Sequence, residues 1–184
     1  PFLTCDTKFN YPLDSESIKI ADKAVDDLFN TLPFTLVFVP KIKIVNIKDN
    51  RTGNTYKYYK SENWVQFDDL IIHEIIKENG IEKEIYNIAS FSFNDIELAI
   101  AVSKDNDRYI IKEKPKSTPV LYCEFPLIGS EEFNLPVVIN SPKFNPTESR
   151  NGISLADKIL PEIEQNKSLF KSFVPAFIQF VETT

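Results

Sequence analysis

Glycine is scarce in this chain of 184 residues: there are four. Phosphate cradles and dinucleotide fingerprints need clustered glycines for tight turns and close backbone approach, so neither a Walker loop nor a Rossmann fingerprint is present. Histidine occurs once, as His73, and cysteine twice, as Cys5 and Cys123. One histidine and two distant cysteines cannot build a zinc finger or ribbon, and no metal site is expected. Any Ser/His/Asp or Cys/His site would have to use His73, which sits among isoleucines beside Glu74 and reads as a structural or surface histidine. A disulfide between Cys5 and Cys123 is possible, but two reduced, packed thiols are the preferred reading. No Glu-x-Lys occurs, which argues against the commonest restriction-type nuclease core. The carboxylate pairs Asp26–Asp27, Asp68–Asp69 and Glu131–Glu132 are adjacent, point apart on a helix or strand, and make poor general acid–base pairs. No apolar run approaches membrane-span length and no charged leader opens the chain. The expectation is a soluble, cytoplasmic protein with no membrane partner.

What is present favours a packed core. Hydrophobic residues make up 42% of the chain, with fifteen Phe and seven Tyr, so large apolar area is available for one domain, or one and a small part. A net charge of −6 disfavours nucleic acid as a partner by bulk electrostatics. The chain opens at Pro1 and contains no Met, from which a fragment of a longer protein is expected.

Periodicity orders the elements. Residues 7–13 alternate polar and apolar and stop at Pro12, predicting a short strand. Asp14 to Ser17 supplies cap chemistry for an amphipathic helix over about residues 16–30, carried by Ala21, Ala24, Val25, Leu28 and Phe29 and ended before Pro33. The apolar run Phe34–Val39 predicts a strand buried on both faces. Residues 41–48 alternate, and Asp49–Asn54 is hairpin chemistry leading to a partner strand over 55–60. Trp64, the only tryptophan, is either a partner-binding hot spot or a core or lid aromatic. Leu70–Gly80 fits a helix or a strand. Its β-branched residues and the Asn79-Gly80 turn favour a strand, a tight turn and a return strand to Phe93 with a bulge near Ala89. Asn94-Asp95 turns the chain into a strand over 96–102, residues 103–107 form a polar turn, and 108–112 form a short strand. The lysine-rich loop 112–117 is a solvated face or a contact for an acidic partner.

Between Cys123 and Leu155 lie two of the four glycines and four of the twelve prolines. Pro136 starts and Pro142 stops a buried strand over 135–139, because proline fixes φ and cannot donate to a ladder. The loop from Asn140 to Gly152 carries a single arginine, Arg150, and proline-pinned loops beside core strands often hold function. Pro161 suits the first turn of a second helix. Its apolar stripe is Leu169, Phe170, Phe173, Val174, Phe177, Ile178 and Val181, with a kink at Pro175.

Several of these segments resemble one family. The run Phe-Pro-Leu-Ile-Gly-Ser-Glu-Glu-Phe-Asn-Leu-Pro-Val-Val-Ile-Asn from Phe125, followed by Phe144-Asn145-Pro146-Thr147-Glu148 and Arg150, is similar to the segment after the ATPase module of sacsin-type proteins. These include relatives with a heat-shock-protein-90-type (GHKL) nucleotide-binding domain. Residues 7–13 resemble the strand that closes that module, and residues 34–47 its linker region. The resemblance implies that residues 1–13 are the tail of a preceding ATPase module and 14–184 a middle, transducer-like domain. Its implied partners are its own upstream ATPase module and client proteins. The family's ATP-binding motifs are missing, so ATP and Mg are implied for the full-length protein and not for this segment. The segment itself is expected to be non-catalytic while the full-length protein is an ATPase. In related chaperones an arginine after a Leu-Pro-x-Asn-type strand end reaches the γ-phosphate, which makes Asn140 and Arg150 candidate phosphate-sensing residues. Arg150 lies ten residues beyond Asn140, further than in those chaperones, and a surface arginine paired with Glu148 is the other reading.

The sequence therefore predicts an α+β fold: a mainly antiparallel sheet, an N-terminal helix and a kinked C-terminal amphipathic helix. The expected function is relay of nucleotide state in a chaperone-like ATPase. The alternative is a protein-interaction module without nucleotide coupling, binding through Trp64 or through Phe173 and Phe177.

Overall fold

A computed structural model describes residues 9–106, 108–133 and 135–183. The first helix, α1, spans Ser15–Phe38. The strands β1 (Ile44–Asp49), β2 (Asn54–Phe67), β3 (Leu70–Asn79), β4 (Glu82–Phe93), β5 (Ile96–Asp105) and β6 (Arg108–Ile111) follow as a meander. The short strands β7 (Leu121–Cys123), β8 (Phe125–Pro126) and β9 (Val138–Asn140) precede the second helix, α2 (Pro161–Thr183). They form one nine-stranded sheet in the order β1-β2-β3-β4-β5-β9-β7-β8, with β6 also paired to β5. Among the described strands only β7 and β9 pair in parallel. The expected α+β class is the one observed.

Each face of the sheet carries one helix. On one face Leu70, Ile72, Phe91, Leu98, Ile100 and Ile139 meet Leu169, Phe173, Ala176 and Phe180 of α2. On the other, Tyr58, Ile75, Ile88, Ala99 and Val138 meet Leu32, Phe34, Leu36, Val37 and Phe38 of α1. Alternation along each strand sends successive side chains to opposite helices, so both faces are apolar where a helix lies. The sheet coils far enough that Phe67 of β2 reaches Tyr109 of β6, ring centroids 6.3 Å apart.

Helix α1 corrects two expectations. It does not end before Pro33, and Phe34–Val39 is not a strand: the helix runs on through Pro33 to Phe38. Asp14 caps it, Oδ1 accepting from the Ser17 amide at 2.8 Å. Proline inside a helix costs about 3 kcal/mol. Thr31–Phe38 are all buried, and each large apolar side chain contributes about 1.5–3 kcal/mol on burial, so burial outweighs the proline. A continuous apolar run has no period, which is why it fits a buried helix as well as a buried strand.

The remaining differences are local. Phe9–Leu13 form no strand, and residues 7 and 8 of that prediction lie outside the described residues. Strand β2 continues to Phe67, so Trp64 is a strand residue. The register of β3 on β4 runs unbroken past Ala89, and the irregularity falls in β2 between Lys60 and Trp64. Strand β5 extends to Asp105, beyond the expected turn at 103, and β9 begins at Val138, two residues after Pro136. In α2 the buried positions are Ile163, Asn166, Leu169, Phe173, Ala176 and Phe180, while Val174, Ile178 and Val181 of the expected stripe are exposed.

Candidate functional site

The register places two diagonal rows side by side on the α1 face. Helix α1 lies on Tyr58, Ile75, Ile88, Ala99 and Val138. Two residues further along each of those five strands stand Lys60, His73, Ser90, Glu97 and Asn140. Lys60, His73, Ser90 and Glu97 are successive diagonal neighbours, and Asn140 stands directly opposite Glu97. Both relations are within reach of long side chains, so five strands contribute one polar group each to a single row. These positions are scattered through the sequence, and only the strand register unites them. His73 and Asn140 stand out in the sequence as candidates; Lys60, Ser90 and Glu97 do not.

At the centre of the row the His73 Nε2 and the Ser90 Oγ share a hydrogen bond of 2.8 Å, and both side chains are buried. Burial holds the imidazole down to about 4, with the nearby Lys60 charge adding to the effect, so it is neutral at pH 7. A Ser–His contact of this length is the first link of a nucleophile–base pair. The second link is missing, since His73 Nδ1 is buried without a partner among the described residues. The pair therefore cross-links β3 and β4, in keeping with a structural histidine.

At the far end, burial pushes the Glu97 carboxyl up to about 7, opposed by the Asn140 amide and the Lys60 charge. Asn140 is itself buried, and its Oδ1 accepts from the Glu124 amide at 3.0 Å. Glu124 takes a left-handed conformation, φ 62°. Its neighbour Cys123 is a free thiol lying against the Phe144 carbonyl at 3.3 Å. Burial raises the thiol, and the Arg150 guanidinium beside it opposes the rise. Asn140 and Arg150, ten residues apart in sequence, are thus joined through Cys123 and Glu124. Cys5 lies outside the described residues.

The loop that carries Arg150 is pinned at several points. Asn166 of α2, fully buried, accepts from the Asn145 amide at 2.8 Å and donates to the Asn145 carbonyl at 2.8 Å and the Ser154 carbonyl at 3.3 Å. The Thr147 amide donates to the Gly152 carbonyl at 2.9 Å, and the Arg150 amide to the Thr147 carbonyl at 2.8 Å. Gly129 packs against this turn: a Cβ there would stand 3.1 Å from the Asn151 oxygen, at φ 111°. Arg150 has φ 51° and is exposed. Among the described residues its guanidinium makes no ion pair with Glu148 or any other carboxylate.

The aromatic candidates separate. Phe173 is buried against the sheet and Phe177 is half-buried, their rings stacked at 5.6 Å. Trp64 is 56% exposed on β2. Among the described residues no group of three or more His, Cys, Asp or Glu side chains is placed to hold a metal, and no helix is long and apolar enough to cross a membrane. Gly53 and Gly80, both at positive φ, serve hairpin turns and build no phosphate cradle.

No protein-family profile, curated protein or solved structure matches this chain.

Proposed function

We propose that this chain is the relay region of an ATP-dependent, chaperone-like protein, receiving nucleotide state from a separate ATP-binding module and passing it to client-binding segments. The reading rests on the resemblance of the Phe125–Arg150 segment to the region downstream of GHKL modules. One structural observation carries it further: Arg150 stands exposed and unpaired by any described carboxylate on a loop tied down at both ends. These bonds hold the main chain that carries the guanidinium, and its planar fork suits phosphate oxygens. Asn140 acts here as a positioning residue, holding the Cys123–Glu124 corner against which Arg150 leans. The reacting nucleotide and its metal belong to the other module.

The test compares ATP turnover and ATP affinity in the full-length polypeptide for the native sequence, Arg150→Ala and Arg150→Lys. A phosphate-sensing arginine predicts a turnover loss on the order of 10²-fold or more for Arg150→Ala, with affinity changed by less than about threefold because the contact forms mainly in the transition state. Arg150→Lys should recover part of the rate. The reading fails if the full-length polypeptide does not consume ATP, or if Arg150→Ala turns over at the native rate.

A further inference from the structure

Strand β2 is far longer than the neighbour on its outer edge. Its fourteen residues pair with β3 along both halves, but β1 covers only Asn54–Tyr59. Beyond the irregularity at residues 61–63, Trp64–Phe67 pair with β3 on one side alone among the described residues. The Asn63 amide is already taken by Ser61 Oγ at 3.1 Å, so the open ladder begins at Trp64. Alternate N–H and C=O groups there point outward and match an incoming extended backbone. Edges of this kind are ordinarily guarded by charged residues, proline or a bulge. Here the irregularity and Glu62 lie before Trp64, and Trp64–Phe67 itself holds no charged residue and no proline. Three of the four residues of the open ladder are large and apolar: Trp64 at 56% exposed, Val65 at 40% and Phe67 at 48%.

Charge selects the occupant. Glu62, Asp68 and Asp69 bracket the open ladder, all exposed and none in an ion pair among the described residues. Lys60, half-buried, and Lys43 lie past Glu62 toward β1, which leaves Asp68 and Asp69 as the acidic end of the open ladder. A second copy would bring the same acids to its own edge: pairing centred on Val65 sets Glu62 opposite Asp68 and pairing centred on Glu62 opposes two glutamates, while pairing centred on Trp64 sets Glu62 opposite the neutral Gln66. Like charges directly opposite destabilise a strand pair. An added strand with basic residues beside Asp68–Asp69 gains from the same field.

We infer that the outer edge of β2 at Trp64–Phe67 is a β-addition site for an extended peptide segment of another protein. That segment has apolar residues at alternate positions, next to Val65 and Phe67, and lysine or arginine at the end beside Asp68–Asp69. Antiparallel addition puts that basic end at the segment's N-terminus. Main-chain hydrogen bonds supply the attachment, and the alternate side chains and the charge supply the selection.

The test titrates the full chain with the capped peptide Lys-Lys-Val-Thr-Val-Thr-Val and with its Glu-Glu counterpart. Emission of Trp64, the single tryptophan of the sequence, and the backbone amide resonances of Trp64–Phe67 report occupancy. The basic peptide should bind about tenfold or more tightly than the acidic one, with the difference shrinking in salt. Two further peptides carry N-methyl groups at odd or at even positions. Strand addition uses one edge of the peptide, so one methylation pattern abolishes binding and the other is tolerated. The double variant Asp68→Asn/Asp69→Asn, on an exposed turn where Asn accepts the left-handed φ of 48° at residue 68, should erase the preference for the basic peptide. The proposal is overturned if neither peptide shifts Trp64 at millimolar concentration, or if both methylation patterns behave alike. It is equally overturned if the double variant keeps the preference, or if sedimentation shows the chain pairing with itself through this edge.

Discussion

Replacing Asn166 by alanine isolates the clamp that fixes the Arg150 loop to α2. Asn166 is 1% exposed and its side chain makes three bonds to main chain, one accepted from the Asn145 amide and two donated to the Asn145 and Ser154 carbonyls. A net intramolecular hydrogen bond is worth about 1 kcal/mol, and a buried group left without a partner costs about 1–3 kcal/mol. The bond to Ser154 is the longest and contributes least. The Asn145 backbone is only partly buried, so water recovers some of the loss. Together these place Asn166→Ala at about 2–4 kcal/mol of lost stability. For a domain of this size each kcal/mol moves Tm by roughly 2–4 °C, so the midpoint should fall by roughly 5–15 °C. The control is Asn145→Ala, which keeps the clamped main chain. It removes only the exposed side-chain bonds to Gln165 Oε1 at 3.1 Å and to the Glu162 carbonyl at 3.5 Å, and should cost less than about 1 kcal/mol. Urea unfolding followed by circular dichroism measures both. An Asn166→Ala variant within about 0.5 kcal/mol of native, or no worse than Asn145→Ala, refutes the clamp.

Two further outcomes follow from the two faces of the sheet. On the α1 face, the Glu97 carboxyl is raised by burial from its ordinary 4.5 to about 7; the folded chain therefore holds a proton that the unfolded chain releases, and stability falls as pH rises from about 4.5 through 7. The displacement corresponds to at most about 3 kcal/mol, less with the remaining solvent contact. Glu97→Gln should flatten stability between pH 5 and 8, and a variant with the native slope refutes the assignment. On the α2 face, Phe180 is buried against Phe91 with ring centroids 6.1 Å apart. Phe180→Ala should cost about 3–5 kcal/mol through the cavity it leaves, against less than about 0.5 kcal/mol for Val174→Ala on the exposed side, both read from urea midpoints.

How much of this was legible beforehand divides along the range of the interactions involved. Turns and periods are local, so the Asn79-Gly80 hairpin, the Asn94-Asp95 turn and the start of α2 at Pro161 all appear where short-range chemistry puts them. Element type in the run Thr31–Phe38 is not local, because a segment buried on every side has no polar face to betray its period. The stripe of α2 shows the same limit. Val174 and Ile178 match Phe173 and Ala176 in apolarity, and which pair faces the sheet depends on what the sheet offers. Arg150 and Asn140 were legible as residues, but the Cys123–Glu124 corner that joins them depends on β7 lying beside β9, a pairing with no sequence period. The polar row is the furthest from view. Lys60, His73, Ser90, Glu97 and Asn140 each look like an ordinary strand residue, and they form a line only because three successive strand pairs offset the members by two and the fourth sets Glu97 directly opposite Asn140. A substitution that slips one strand by one residue would leave each local signal intact, yet send that strand's members of the row to the α2 face. The row is thus a property of the sheet's register, and its buried His73–Ser90 bond is one of the contacts that makes a slipped register costly.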